Sequence, residues 1–280
     1  MYKTIDGKAV AAAVKQRVAD SVAELKSNGF TPGLAVIIVG DDPASRVYVN
    51  NKEKDCREVG INSFEYAMPE STSTDELLEL IEKLNADPTV SGILCQLPVP
   101  KQIDVQAVLN AISPAKDVDA FNPVNVGKVM TGGYTFAPCT PAGIIEMLKY
   151  YDIEIPGKNC VVIGRSNIVG KPMALLMLEN NATVTVCHSG TQNLPEVTKG
   201  ADILISAVGR AKFVTADMVK DGAVVIDVGM NRDENGKLCG DVDFDAVAPK
   251  TSYITPVPGG VGPMTRAMLM VNVLNAAKAE

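Results

Sequence analysis

Apolar residues recur along this chain at two periods, and the two alternate. Through residues 7–28, GKAVAAAVKQRVADSVAELKSN, they return every three or four positions, which predicts a helix ending near Gly29. LAVIIVG at 34–40 is an unbroken apolar run, the pattern of a strand buried on both faces. DDP at 41–43 places Asp42 to cap a helix and Pro43 at its first position; that helix is expected to run to about Val59 and stop at Gly60. FEYAM at 64–68 and SGILCQLP at 91–98 read as further strands, with a helix from Ser73 to Asn85 between them. Strands alternating with helices imply a largely parallel sheet.

The rhythm breaks at 113–139, where Pro114, Pro123, Gly127, Gly132, Gly133 and Pro138 accompany little periodicity. PAGIIEMLKYY at 141–151 predicts a helix, and the alternation resumes with strands at 160–164, 182–187, 202–206 and 223–228. The expectation is an α/β fold of two lobes, residues 1–139 and 140–263, with the last helix, 264–280, packing back on the first lobe.

Composition narrows the function. A net charge of −7 disfavours nonspecific nucleic-acid binding, because a phosphate backbone needs clustered cations. No apolar run approaches the ~20 residues of a membrane span. The N-terminus goes straight into an amphipathic pattern without the apolar core of a secretory signal. The six cysteines, at 56, 95, 139, 160, 187 and 239, include no C-x-x-C pair and sit in or beside apolar runs. Buried thiols in a reducing compartment are expected, with no zinc site and no disulfide frame. With His188 as the single histidine, a His-rich metal centre is impossible, and no metal is expected.

The most suggestive stretch is VVIGRSNIVGKP, 161–172. A P-loop needs four residues between its glycines and a Ser or Thr after the lysine; here there are five, and Pro172 stands in the hydroxyl position. The dinucleotide-binding fingerprint wants a middle glycine, where this chain has Ser166. The setting nevertheless fits, with a strand before Gly164 and a helix starting near Gly170 whose N-terminus offers N–H groups and a positive dipole end to a phosphate. The next strand ends in TVCHSG, without the carboxylate that binds a ribose 2′-hydroxyl in NAD sites. His188, Ser189 and Arg165 suit a 2′-phosphate instead, which leans towards NADP. An ordinary strand–turn–helix remains open on these residues alone.

Other polar residues carry two readings each. In SRVYVNNK, 45–52, Tyr48 and Lys52 lie four apart on a predicted helix and share a face with Ser45. A tyrosine ring stacks on flat heterocycles and a lysine of lowered pKa moves protons, but most helical lysines are solvated surface. Gln96 ends an apolar strand, where open α/β sheets bind ligands, or it satisfies a buried loop. Asp117 and Asp119 lie two apart in KDVDAF, so an extended chain would turn both towards one pocket; the alternative is an Asx-turn or cap. TPVPGGVGPMT, 255–265, is stiff at its prolines and open to close approach at its glycines, either a ligand floor or a helix lead-in.

Together, SRVYVNNK, GILCQLPVP, KDVDAFNPVNVG, PCTPAG, VVIGRSNIVGKP, ATVTVCHS, GDVDF and TPVPGGVGPMT resemble the bifunctional methylenetetrahydrofolate dehydrogenase/methenyltetrahydrofolate cyclohydrolases, in the family's order and across about residues 3–275. The resemblance implies an N-terminal α/β catalytic lobe and a C-terminal Rossmann-type lobe binding NADP, with a folate cleft between them. It also implies a cytoplasmic homodimer formed through the Rossmann lobe. Two reactions are implied: oxidation of 5,10-methylenetetrahydrofolate to the methenyl cation, then hydrolysis to 10-formyltetrahydrofolate. Lys52 matches the catalytic lysine, Gln96 the glutamine beside it, Tyr48 the aromatic on the folate and Asp119 the carboxylate that grips the pterin. Ser45 is placed with the substrate contacts, as are Pro258, Gly259, Gly260 and Val261. Gly164, Arg165 and Ser166 match the cofactor turn, Ser189 the neighbourhood of the 2′-phosphate and Met230 an apolar cofactor contact.

Two departures stand out. Ala120 replaces a usual glycine, and Gly190 replaces a common Lys or Arg, removing one cation from beside the 2′-phosphate. An NAD-linked or monofunctional dehydrogenase is the nearest alternative. A non-catalytic dinucleotide sensor is a more distant one, against which the joint presence of Tyr48, Lys52, Gln96 and Asp119 argues.

Overall fold

A computed structural model describes residues 2–279. Its first elements are β1 (Lys3–Thr4), α1 (Gly7–Ser27), β2 (Gly33–Val39), α2 (Pro43–Val59), β3 (Asn62–Met68), α3 (Thr74–Ala86), β4 (Gly92–Cys95), α4 (Val105–Ala111) and α5 (Pro123–Thr131). There follow α6 (Cys139–Tyr150), β5 (Asn159–Ile163), α7 (Gly170–Glu179), β6 (Thr183–Cys187), α8 (Leu194–Thr198), β7 (Ile203–Ser206) and β8 (Val224–Asp227). The chain ends with β9 (Asn231–Arg232), β10 (Leu238–Cys239), α9 (Phe244–Val247), β11 (Tyr253–Ile254) and α10 (Val261–Ala279).

The chain divides into two compact units, one of residues 12–139 and 266–280, the other of 1–11 and 140–265. The first holds a three-stranded parallel sheet ordered β3-β2-β4. Every residue of β2 is buried. Ala35, Ile37 and Val39 pack with Leu77, Ile81 and Leu84 of α3 and with Ile93 of β4. Leu34, Val36 and Ile38, on the other face, are buried as well. Each such aliphatic side chain contributes about 1.5–3 kcal/mol on burial, so the central strand is held from both sides, as its unbroken apolar run requires.

The second unit holds a six-stranded sheet ordered β1-β11-β8-β7-β5-β6, with every pairing parallel. Its N-terminal strand is the one place where the expected division fails. Residues 1–11 belong with this unit, because Lys3 and Thr4 pair with Tyr253 and Ile254 of β11. Two residues are too few to show a period, so the sequence pattern could not reveal that strand.

Both sheets share one topological feature. In the first, the chain passes from β2 to β3 on one side and then to β4 on the other. In the second, it passes from β5 to β6 and then crosses to β7. Each reversal leaves a switch point at the carboxyl ends of two adjacent strands, where open α/β sheets bind ligands.

The expected elements appear within a few residues, with two differences. The segment 113–139 is not wholly irregular. Asn122 caps α5, accepting from the Val124 N–H at 2.9 Å, and Pro123 occupies its first turn. This nine-residue helix exposes Val124, Val126 and Met130, so its apolar residues mark no inward stripe and the 3.6-residue period is lost. The last helix begins at Val261, three residues before the expected 264, with Gly262 and Pro263 inside its first turn.

Candidate functional site

In the unit of residues 12–139 and 266–280, α2 carries the candidate chemistry. Asp42 caps it, its carboxylate accepting from the Ser45 N–H at 2.7 Å, and Gly60 ends it in the left-handed region at φ 84°. Ser45 is buried, and its hydroxyl finds no hydrogen-bond partner among the described residues. Tyr48, one turn on, is 41% exposed, and Lys52 follows after another turn.

Lys52 is not a solvated surface lysine. Its Nζ donates to Gln96 Oε1 at 2.8 Å, and Gln96 Nε2 donates to the Leu97 carbonyl at 2.6 Å. The second bond fixes the amide so that its oxygen faces the lysine. Gln96 itself is anchored by its backbone N–H, which donates to the Ile37 carbonyl at 2.8 Å and so extends β4 alongside β2. The pair therefore lies at the β2/β4 switch point.

Burial lowers the Lys52 pKa, while the nearby Asp119 carboxylate pulls it back up. Burial likewise raises Asp119, to about 6, against the attraction of Lys52 and with a further push from Asp117. Desolvation outweighs attraction for both partners, which moves a lysine and a carboxylate towards their neutral forms together. Cys56 and Cys95, also near Lys52, are pushed up to about 12 by burial, so they stay thiols and add no charge.

The two aspartates of KDVDAF do not share a pocket. Asp117 is buried and bound into its own loop, accepting from the N–H groups of Phe121 at 3.2 Å and Asn122 at 2.8 Å and from Asn125 Nδ2 at 2.9 Å. Asp117 therefore takes the Asx-type role, and Asp119 is the one coupled to Lys52. Directly after Asp119 comes Ala120, buried and left-handed at φ 59°. A glycine adopts that conformation without strain, so this departure from the family falls where it costs stability.

Sequence reasoning missed Asn272 of α10. Its buried side-chain amide donates to the carbonyls of Val118 at 2.8 Å and Ala137 at 2.9 Å, tying down the segment that carries Asp119. The signal was a lone amide inside the apolar run MLMVNVL.

In the unit of residues 1–11 and 140–265, β5 runs into Gly164, at φ 123°. A Cβ there would lie 2.4 Å from the Ala207 carbonyl oxygen, and one on Gly170 would lie 2.2 Å from the Gly164 carbonyl oxygen. Both glycines are thus demanded by close backbone approach, as a dinucleotide turn needs. Ser166 closes the turn ahead of α7, its hydroxyl accepting from the N–H groups of Val169 at 3.2 Å and Gly170 at 3.3 Å. Two of the N–H groups expected for a phosphate are therefore already engaged. Arg165 and Ser166 are exposed beside this turn.

At the end of β6, the His188 N–H donates to Thr191 Oγ1 at 2.9 Å, and the Gly190 N–H donates to His188 Nδ1 at 3.0 Å. Ser189 is exposed in the same turn, and no carboxylate occurs from Thr183 to Thr191. Met230 is 51% exposed on the loop after β8. Pro258, Gly259 and Gly260 form the turn that leads into Val261 and α10. The Gly-lined turn and the absence of a carboxylate fit a dinucleotide carrying a 2′-phosphate.

The chain as a whole is matched by known proteins. The family model for the tetrahydrofolate dehydrogenase/cyclohydrolase catalytic domain covers residues 5–119, and that for the family's NAD(P)-binding domain covers 138–280. The chain belongs to the tetrahydrofolate dehydrogenase/cyclohydrolase family. It is 61% identical over 278 residues to the bifunctional protein FolD of Agathobacter rectalis, covering 99% of this chain and 100% of that one. It is similar to the crystal structure of bifunctional FolD from Campylobacter jejuni, with TM-score 0.98, 49% identity and coverage of 100% and 99%. It is also similar to the Trypanosoma brucei enzyme complexed with NADP cofactor and inhibitor, with TM-score 0.94, 39% identity and coverage of 99% and 98%.

The family's two domain models divide the candidate residues cleanly. Ser45, Tyr48, Lys52, Gln96 and Asp119 fall within the catalytic-domain match. Gly164, Arg165, Ser166, Ser189, Met230 and Pro258 to Val261 fall within the NAD(P)-binding match. Among the described residues no helix is long and apolar enough to cross a membrane.

Proposed function

We propose that this protein oxidises 5,10-methylenetetrahydrofolate to the methenyl cation with NADP⁺ and then hydrolyses that cation to 10-formyltetrahydrofolate. The single observation that carries the reading is the Lys52–Gln96 hydrogen bond beside Asp119 at a switch point, with the lysine's pKa lowered by burial.

NADP⁺, when bound, would supply the acceptor for a hydride from the methylene carbon. That step asks the protein for orientation, which the Gly164 turn, Arg165, Ser189, Met230 and the Pro258–Val261 segment supply. The folate product is a cation, and a permanently charged lysine beside it would oppose its formation. Burial favours the neutral amine, while Asp119 keeps the protonated form within reach. Neutral Lys52 takes a proton from the water that attacks the methenyl carbon. As an ammonium it then stabilises the oxygen of the adduct and returns that proton to the folate nitrogen as the ring opens, while the adduct's hydroxyl proton leaves to solvent as the formyl C=O forms. Gln96 holds the amine in place for both roles. Tyr48 stacks on the ring system, Ser45 contributes its unpartnered hydroxyl, and Asp119 accepts from the pterin's N–H groups.

NADP is preferred over NAD because the β6 turn offers no carboxylate to a 2′-hydroxyl; Gly190, in place of a cation, weakens that preference. A homodimer is supported by β6, an edge strand whose Val186 is exposed, and by the exposed Leu178 of the preceding helix α7. Five buried free thiols support a cytoplasmic location. The test follows methenyl-folate absorbance with NADP⁺ and with NAD⁺, together with hydrolysis of supplied methenyl-folate. Both activities, faster with NADP⁺, are expected; their absence would overturn the reading.

A further inference from the structure

Two buried carboxylates lie where β7 and β8 end. Asp241 is wholly buried. Its Oδ2 accepts from Ser206 Oγ at 3.2 Å and from the N–H groups of Val208 at 2.7 Å and Gly209 at 3.2 Å. Its Oδ1 accepts from the Arg210 N–H and from Asn231 Nδ2, both at 2.9 Å. One side chain thus holds the loop after β7 and the loop after β8.

Asp227, the last residue of β8, works in the opposite sense. Its Oδ1 accepts from the N–H groups of Gly229 at 2.9 Å and Asp241 at 2.8 Å, and its Oδ2 from that of Val242 at 2.9 Å. It fixes the backbone of residue 241, and Asp241 then fixes the loops. The fit leaves no slack: a Cβ on Gly229 would lie 2.2 Å from Asp241 Oδ1, and one on Gly240 would lie 1.8 Å from Asp227 Oδ2.

The loops so held adjoin the dinucleotide turn. The Ala207 N–H donates to the Ile163 carbonyl at 2.8 Å, and the Ala207 carbonyl is the group that forbids a side chain at Gly164. The second loop places Met230 between Gly229, which closes on Asp241, and Asn231, which donates to it. The first loop leaves the carboxyl end of β7, the neighbour of β5 at the switch point of this sheet, and the second leaves the carboxyl end of β8, the next strand along.

We infer that Asp241 is a positioning residue for the nicotinamide cofactor, holding residues 207–210 and 228–231 in the shape that receives it. This rests on the proposed dehydrogenase reading. The anion is needed because five donors converge on it; an amide of equal size turns its own N–H groups towards some of them.

The test uses the full chain as Asp241→Asn and, separately, as Asn231→Ala, which removes one donor and leaves the backbone bonds intact. Calorimetry with NADP⁺ alone, steady-state dehydrogenase kinetics and hydrolysis of supplied methenyl-folate are measured on each. Asp241→Asn is expected to weaken NADP⁺ binding about tenfold or more and to raise the cofactor KM in step, with hydrolysis within about twofold of the parent. Asn231→Ala shows the same split, at about three- to fivefold, and decides the matter if the first variant does not fold. Unchanged NADP⁺ affinity in a folded variant, or equal losses in both activities, would overturn the assignment. A parent protein that hydrolyses methenyl-folate but binds no NADP⁺ would overturn the dehydrogenase reading, and this inference with it.

Discussion

At the carboxyl end of β2 and β4 the chain gathers a lysine, an amide and a carboxylate; at the carboxyl end of β5 and β7 it gathers glycines and peptide groups. The two switch points share a topology and differ in furnishing. The first leaves Asp119 outside its loop's hydrogen bonds, in the field of Lys52, which is the arrangement the proposed proton transfer would use. Cradling a dinucleotide needs the backbone to come close, so the second removes side chains and uses its carboxylates, Asp227 and Asp241, to hold loops. The same residue type faces another titrating group at the first place, as Asp119 does, and is closed around by N–H groups at the second.

That contrast breaks most visibly at Lys52. Lys52→Met is expected to lower methenyl hydrolysis by about 10²–10⁴, the span typical of a lost general base, while a folate analogue still binds. Hydrolysis at the parent rate by this variant would remove the first switch point from the chemistry. A second measurement sets the neighbouring aspartates against each other. Asp117→Ala strips the acceptor from three donors and should cost about 3 kcal/mol in urea unfolding, with m unchanged; a loss below ~1 kcal/mol would show that Asp117 is not architectural.

Asp119 carries the opposite expectation, and its sign depends on pH. Its carboxyl is raised from 3.8 to about 6 in the folded protein, so the folded state binds the proton more tightly than the unfolded one. Its stabilising contribution is full below about 3.8 and is lost as pH rises through about 6. Asp119→Asn, which cannot ionise, should therefore gain on the parent by about 2 kcal/mol between pH 4 and pH 7 in paired urea titrations. A difference independent of pH would mean that Asp119 is not held near neutrality. The smallest effect is at the residue just after Asp119. Ala120→Gly relieves a left-handed alanine and should stabilise by about 0.5 kcal/mol, read as a higher urea midpoint.

Much of this was legible beforehand because local chemistry and tertiary need coincide. Asp42 with Pro43 began a helix, Gly60 ended it, and LAVIIVG made a strand buried on both faces, as the pattern of each required. Tyr48, Lys52, Gln96 and Asp119 were named together only through the resemblance, whereas spacing alone left Lys52 indistinguishable from a surface lysine. What stayed hidden depends on partners far away in sequence. Asp117 and Asp119 look alike in KDVDAF, and only the donors at 121, 122 and 125 separate them. Asp241 reads as an ordinary loop aspartate until residues 206–210 and 231 fold around it. β1 takes its identity from residues 253 and 254, about 250 positions away.

That short first strand has a practical corollary. Lys3 and Ile5 donate their N–H groups to the carbonyls of Ser252 and Ile254, at 2.8 and 2.9 Å, which sheathes the rim of the larger sheet. Trimming the opening five residues, or hanging a bulky purification handle directly on them, would bare that rim and invite pairing with foreign chains. A handle at the other terminus leaves the rim sheathed.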